Sequence, residues 1–323
     1  MNRFELARAT STSEARELVA EKAGSVFKAG GIDLLDHLKE HLLEPPRVVD
    51  LKRIPGLDHV TPEADGSLRI GALATLEKVA SHQAVQKTHP ALAHACGEAA
   101  SPQIRNVATI GGNLLQRPRC WYYRLESYKC VKKGGDLCYA VAGENRYHVI
   151  FGGGPAYPTH PSNAAVPLVA YGASFVLEGK KGARTVPAGE FFVMPMADPT
   201  RENVLDPGEI LLEIRVPSSA GWRSAYHEVR ERAAFDWPLV SAAIAVKAEG
   251  GVVRDARVVL GQVATIPWRS ATAEEALVGK PLSAASAEAA GRAAVQGAEP
   301  MSHNGYKVDL VSTLVRRMVA SLA

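Results

Sequence analysis

No stretch of this 323-residue chain approaches the roughly 20 consecutive apolar residues that a bilayer-crossing helix needs. A membrane-spanning role is therefore not expected. Met1 to Ala20 alternates charged and apolar residues and has no apolar core like that of a signal peptide. A cytoplasmic protein is expected, with export alongside a partner left open. Charge of one sign is missing as well: 37 Lys and Arg stand against 34 Asp and Glu, a formal charge of +3, with no long basic run. That balance argues against nucleic acid as a partner. The spacings of a dinucleotide-binding GxGxxG turn and of a P-loop are also missing.

Cysteine is scarce. There are four, with Cys96 alone and Cys120, Cys130 and Cys138 falling within 19 residues. In a reducing compartment such a cluster suggests metal more than disulfide.

What is present is an ordinary globular composition, 46% hydrophobic and 22% charged, long enough for two or three domains. Ser11 and Glu14 have capping-box spacing ahead of a helix near residues 12–22. A β-α-β unit follows, with strands at Ser25–Ala29 and Arg47–Leu51, a Gly30-Gly31 turn and a helix over Asp33–His41. Farther on come a strand at Leu68–Leu73, a helix after Thr75, a helix at Ala91–Ala100 and a Gly-rich passage at Ser101–Leu115. A helix is expected at Ala164–Tyr171, a hairpin around 179–182, and a strand at Glu209–Val216. Beyond the linker Pro217–Gly221, strands at Ser224–Arg230, Ser241–Lys247 and Val252–Leu260 precede three helices near 272–278, 284–297 and 306–321. The expected organisation is α+β: domain 1–218, with lobes of about 1–55 and 56–218 and a cysteine-containing insertion at 117–159, then a smaller α+β domain at 219–323.

Two glycine pairs stand out. In Lys28-Ala-Gly-Gly-Ile-Asp-Leu34, glycines between a strand and a helix allow several N–H groups to face an anion at the helix N-terminus, or form an ordinary tight turn. In Ser101-Pro-Gln-Ile-Arg-Asn-Val-Ala-Thr-Ile-Gly-Gly-Asn113, Thr109 and Asn113 flank the second pair, with Gln103, Arg105 and Asn106 nearby. That stretch reads either as a second phosphate-facing loop or as a polar loop rigidified by its own side chains.

Taken together, A-G-G-x-D-L, S-P-Q-I-R-N-x-A-T-I-G-G-N-L and His160-Pro-Ser-Asn163 resemble the FAD-binding medium subunits of the molybdenum hydroxylases. That family includes xanthine dehydrogenase, carbon monoxide dehydrogenase, aldehyde oxidoreductases and 4-hydroxybenzoyl-CoA reductase. Val229-Arg-Glu-Arg232, Phe235-Asp236, Val240-Ser241, Pro267, Arg269 and Glu275 extend the resemblance over nearly the whole chain. It implies a two-lobed FAD domain of the vanillyl-alcohol-oxidase-like type and a smaller C-terminal domain. It further implies a large molybdopterin-binding partner, a small 2Fe-2S partner, and electron transfer through a noncovalent FAD. By motif, Lys28, Ala29, Gly30, Gly31, Ile32, Asp33, Leu34, Gln103, Arg105, Asn106, Thr109, Gly111, Gly112 and Asn113 would form the cradle. Ser162 and Asn163 would face the ribityl or pyrophosphate region. Ile32 stands where the family has Thr or Ser, and Asn163 where it has Asp.

The resemblance also extends to a subset whose flavin subunit carries a 4Fe-4S cluster in an inserted loop. Cys120, Cys130 and Cys138 match three of its thiolates, with Lys132 and Lys133 offsetting cluster charge, but Ala156 stands where the fourth would be. Two alternatives stay open: a cluster with an unusual fourth ligand, His148 and His160 being nearby, or a remnant loop with free or zinc-bound thiols. The competing functional readings are a self-contained FAD oxidase or dehydrogenase using Tyr226, His227 or Asp236, and a zinc-stabilised assembly module.

Overall fold

The computed structural model describes all 323 residues. Three sheets follow one another along the chain. In the first, β1 (Glu5–Arg8), β2 (Val26–Lys28) and β3 (Arg47–Asp50) are parallel in the order β1-β3-β2. β3 takes the centre because Arg47, Val48 and Val49 are buried, whereas β1 and β2 stay partly exposed at the edges. The helix Thr12–Ala20 links β1 to β2, with the Ser11 hydroxyl accepting the Glu14 N–H at its start. Glu14 does not complete a capping box; its carboxylate turns back to the N–H and hydroxyl of Thr10.

The second sheet is antiparallel, in the order β4-β5-β8-β6-β7, built from β4 (Val60–Pro62), β5 (Leu68–Gly71), β6 (Ser174–Gly179), β7 (Gly182–Pro187) and β8 (Ile210–Val216). Its apolar face shares a core of 26 buried residues with helices Leu76–Ser81, Pro90–Glu98 and Ala165–Ala170. Cys96 is wholly enclosed there and its thiol is pushed up to about 12, so it packs as a small apolar side chain.

β9 (Trp222–Val229), β10 (Val240–Glu249), β11 (Val252–Gly261) and β12 (Trp268–Arg269) form the third, antiparallel sheet. Val240 to Val246 is buried without interruption because both faces of β10 are covered. Ala242, Ile244 and Val246 face a core with helices Ala271–Leu277, Ala284–Ala293 and Tyr306–Ser321, while Ala243 packs with Tyr226 and Val259 against helices Pro90–Glu98 and Ala165–Ala170. The third sheet is thereby packed against the second lobe. The short β1, β4 and β12, and the helix Gln83–Thr88, carry no strong period and were not expected from the sequence.

No helix is long and apolar enough to cross a membrane.

Candidate functional site

The two glycine stretches, far apart in sequence, lie against each other. A Cβ on Gly30 would sit 2.3 Å from the carbonyl oxygen of Val107, so only a bare backbone lets the first loop approach the second this closely. Gly31, at φ 84°, turns the chain into the helix Ile32–Lys39. No side chain caps that helix, and its first intrahelical bond is from Leu35 N–H to the Gly31 carbonyl. The N–H groups of Ile32, Asp33 and Leu34 are therefore the free donors of a helix N-terminus. On the facing side the Thr109 hydroxyl caps the Gly112 N–H at the start of helix Ile110–Leu114. Gly111 is locked down: its N–H reaches the Ala72 carbonyl, and a Cβ there would lie 2.8 Å from that same oxygen.

Between these loops runs a cavity of about 700 Å³, toward the upper end for ligand sites. Lys28, Ala29, Gly30, Gly31, Ile32, Asp33, Leu34, Thr109, Gly111, Gly112, Asn113 and Asn163 all line it. Lys28 is paired with Asp50 at 3.1 Å, and the Asp33 carboxylate accepts from the Arg117 N–H and the Arg124 guanidinium, both at 2.8 Å. The Asp33 side chain thus fixes the cavity wall formed by Arg117 and Arg124, while its backbone N–H faces the opening.

Four residues expected to contact the cofactor, Gln103, Arg105 and Asn106 in the cradle and Ser162 facing the ribityl or pyrophosphate region, do not line the cavity. Gln103 and Asn106 are exposed, with Asn106 bonded back to the Pro102 carbonyl, and Arg105 pairs with Glu77 and the Ala99 carbonyl. These three shape the turn preceding Thr109. Ser162 is buried behind the wall, donating to Asn113 Oδ1 at 2.6 Å and accepting from the Ala165 N–H. Arg117, Arg124, Leu205 and Trp237 line the cavity without having been singled out from sequence. They come from the insertion and from distant loops, with no local motif to mark them. Phe235, 67% exposed at φ 55°, is held at the mouth by a hydrogen bond from its N–H to the Ala100 carbonyl, itself at φ 49°. Left-handed backbone at such residues is costly and concentrates at working sites.

The chain as a whole is similar to known proteins. A model of the FAD-binding domain in molybdopterin dehydrogenases matches residues 2–219, and one of the carbon monoxide dehydrogenase flavoprotein C-terminal domain matches residues 224–322. The chain belongs to the FAD-binding subunits of the molybdenum hydroxylases. It is 33% identical to the aldehyde oxidoreductase FAD-binding subunit PaoB of Escherichia coli, covering 100% of this chain and 98% of that one. It is 30% identical to the carbon monoxide dehydrogenase medium chain of Hydrogenophaga pseudoflava, covering 98% and 95%. A solved structure of that organism's carbon monoxide dehydrogenase superposes with a TM-score of 0.79 at 29% identity, covering 99% of this chain and 97% of its own. As a flavoprotein subunit of this family, the chain is one component of an oxidoreductase. Of the residues that a self-contained oxidase would use, Tyr226 donates to Glu228 and His227 packs on His94, both outside the cavity lining, whereas Asp236 lines the cavity.

The cysteine loop is a different construction. Cys120 and Cys130 are buried with Tyr123 in a small cluster lined by Tyr122 and Tyr139, and Cys138 is half-buried beside them. No disulfide forms, and no three His, Cys, Asp or Glu side chains are grouped to hold a metal ion. Burial pushes the Cys120 thiol up to about 12. The nearest further donor is His148, whose Nε2 lies 3.3 Å from Cys120 Sγ and whose pKa burial depresses to about 4. Ala156 is fully buried, and the His160 ring packs on Phe192, away from the thiols. The lysines do not serve as counter-charges to a cluster. Lys132 is buried and paired at 2.5 Å with Glu202, which also binds Arg117, and Lys133 donates to the Leu125 carbonyl. The loop is also stitched to the C-terminal domain: Asn304 donates to the His148 and Val149 carbonyls, and Lys307 to that of Tyr147.

Proposed function

We propose that the cavity between the glycine loops holds one noncovalent FAD and that this subunit carries electrons between iron–sulfur centres of a partner and an external acceptor. The observation that carries this reading is the convergence of an uncapped helix N-terminus and the Thr109-capped turn on one large cavity. Free N–H groups at that helix start suit the pyrophosphate. Lys28 through Leu34, Thr109, Gly111, Gly112 and Asn113 are the proposed cradle. Gln103, Arg105, Asn106 and Ser162 support it from behind. When bound, the flavin supplies the exchange of single electrons for pairs; the chain supplies binding, orientation and shielding.

The related carbon monoxide dehydrogenase chain is named a medium chain and the related aldehyde oxidoreductase chain an FAD-binding subunit. On that likeness the proposed partners are a large molybdopterin-binding subunit and a small 2Fe-2S subunit. Purifying the native assembly tests this: the chain should bring both partners with it. An isolated chain turning over substrate as fast as the assembly would refute the reading.

A second reading concerns Cys120, Cys130 and Cys138 as three thiolate ligands of a 4Fe-4S cluster. It is motivated by the resemblance of the inserted loop, while the burial of Cys120 and Cys130 and the lack of three grouped ligands count against it. The donor set falls one thiolate short, and electron transfer through the flavin does not depend on it. Anaerobic iron and sulfide analysis with Cys130→Ser as control decides the matter. About four irons lost on substitution support a cluster; no iron in the wild type leaves a structural loop.

A further inference from the structure

Two asparagine side chains line the cavity, and the protein fixes their amides in opposite senses. Asn113 Oδ1 accepts from the Ser162 hydroxyl at 2.6 Å and from the Ala164 N–H at 3.2 Å. Its Nδ2 is left as a donor for the cavity. Asn163 is held the other way: its Nδ2 donates to Glu228 Oε2 at 2.7 Å and approaches the Tyr226 hydroxyl at 3.3 Å. Its Oδ1 accepts nothing from the protein and is not sealed off. Only an NH₂ group tolerates a carboxylate oxygen at that distance, so the amide cannot be flipped without facing two oxygens together.

Glu228 lies on β9 of the third sheet, outside the cavity lining, with its side chain 3% exposed. Tyr226 donates to the same carboxylate oxygen at 2.6 Å, and Arg230 Nε lies 3.1 Å from the other. Burial pushes the carboxyl's pKa up; the Asn163 amide and the Tyr226 hydroxyl both present hydrogens to Oε2 and make it an acceptor there, while Arg230 sets its charge beside Oε1 without a hydrogen bond.

The geometry points to Glu228 as a positioning residue that reaches from the C-terminal domain and locks Asn163 so that an acceptor, not a donor, meets the bound FAD. The group of FAD that meets Asn163 is then a hydrogen-bond donor, a ribityl hydroxyl or the ring imide N–H, whereas Asn113 meets an acceptor. An Asp at position 163 would oppose the Glu228 carboxylate at hydrogen-bonding distance.

This inference rests on FAD occupying the cavity, and the experiment separates the two. Dissociation constants for FAD are measured by flavin fluorescence at pH 8 on the full chain and its variants Asn163→Asp, Glu228→Gln and the double variant. Asn163→Asp should weaken FAD by about tenfold or more, and adding Glu228→Gln should restore most of that loss, because a glutamine amide can donate to the new carboxylate. Wild-type affinity in Asn163→Asp, or a double variant no better than it, overturns the inference. Should Asn163→Asp fail to fold, Asn163→Leu keeps the shape and removes the acceptor; it must also weaken FAD, and unchanged affinity refutes the role. Gly112→Val is the control: if it keeps full FAD, the cavity is not the flavin site. If it loses FAD while both Asn163 variants bind normally, only the amide-locking inference falls.

Discussion

The glycine cradle and the cysteine loop both announced themselves in the sequence, yet they are built on different logic. The cradle is an open space whose working groups are backbone N–H donors, kept free by an uncapped helix and a tight approach of two loops. The cysteine loop is filled: its thiols lie among tyrosine rings, and its buried lysine is satisfied by Glu202. A backbone site needs only the right turn at the right place, which a short motif encodes. A thiolate site needs four side chains from separate turns to converge, and here one of the four is the methyl group of Ala156.

The largest expected effect breaks the cradle alone. Gly112→Val adds a side chain whose Cβ meets only the Thr109 hydroxyl, at 3.0 Å, so the fold should persist while the cavity is obstructed. Flavin absorbance per folded chain should fall to near zero. Gly111→Val is a different experiment, because its Cβ would strike the Ala72 carbonyl. It should destabilise the chain by about 1–3 kcal/mol, read as a lowered urea midpoint even without FAD.

Acid sharpens the contrast from the other side. His148 and His160 are buried and neutral, with pKa values depressed to about 4 and about 3 from 6.5. Their contribution is fully present above pH 6.5 and is lost as pH falls toward those values, because the unfolded chain takes up protons that the native one refuses. They are worth roughly 3 kcal/mol for His148 and roughly 5 kcal/mol for His160 across those windows. His148→Gln should flatten the decline of stability between pH 6.5 and 4; an unchanged slope would show that the ring titrates normally. A smaller effect is expected from Cys120→Ser, which should leave FAD affinity unchanged whatever it does to iron content. The smallest lies in the first lobe, where Ser11→Ala removes a cap worth about 1 kcal/mol and should lower the melting temperature by a few degrees.

The β-α-β unit, the hairpin, the long strands of the third sheet and the three terminal helices were readable because each has a clear period and a turn signal at its ends. The pairing of Gly30 with Val107 was not, since contact between distant loops leaves no local trace. For the same reason Gln103, Arg105 and Asn106 looked like ligand residues. They adjoin the motif in sequence, yet a turn in space directs them to Glu77, Pro102 and solvent. Arg117, Arg124 and Trp237 reach the cavity through long-range ion pairs and stacking, with Arg124 bridging Asp33 and Asp36 beneath the Trp237 ring.

The cavity takes its walls from the first lobe, the second lobe and, through Phe235, Asp236 and Trp237, the C-terminal domain. Whatever fills it acts as a mortise pin through three timbers: a ligand that binds only the assembled form stabilises it by about 1.4 kcal/mol for each tenfold excess over its dissociation constant. Yellow colour in this protein therefore reports more than cofactor content. It gauges whether the lobes have docked, and the chain without flavin is expected to be looser and more protease-sensitive than the chain with it.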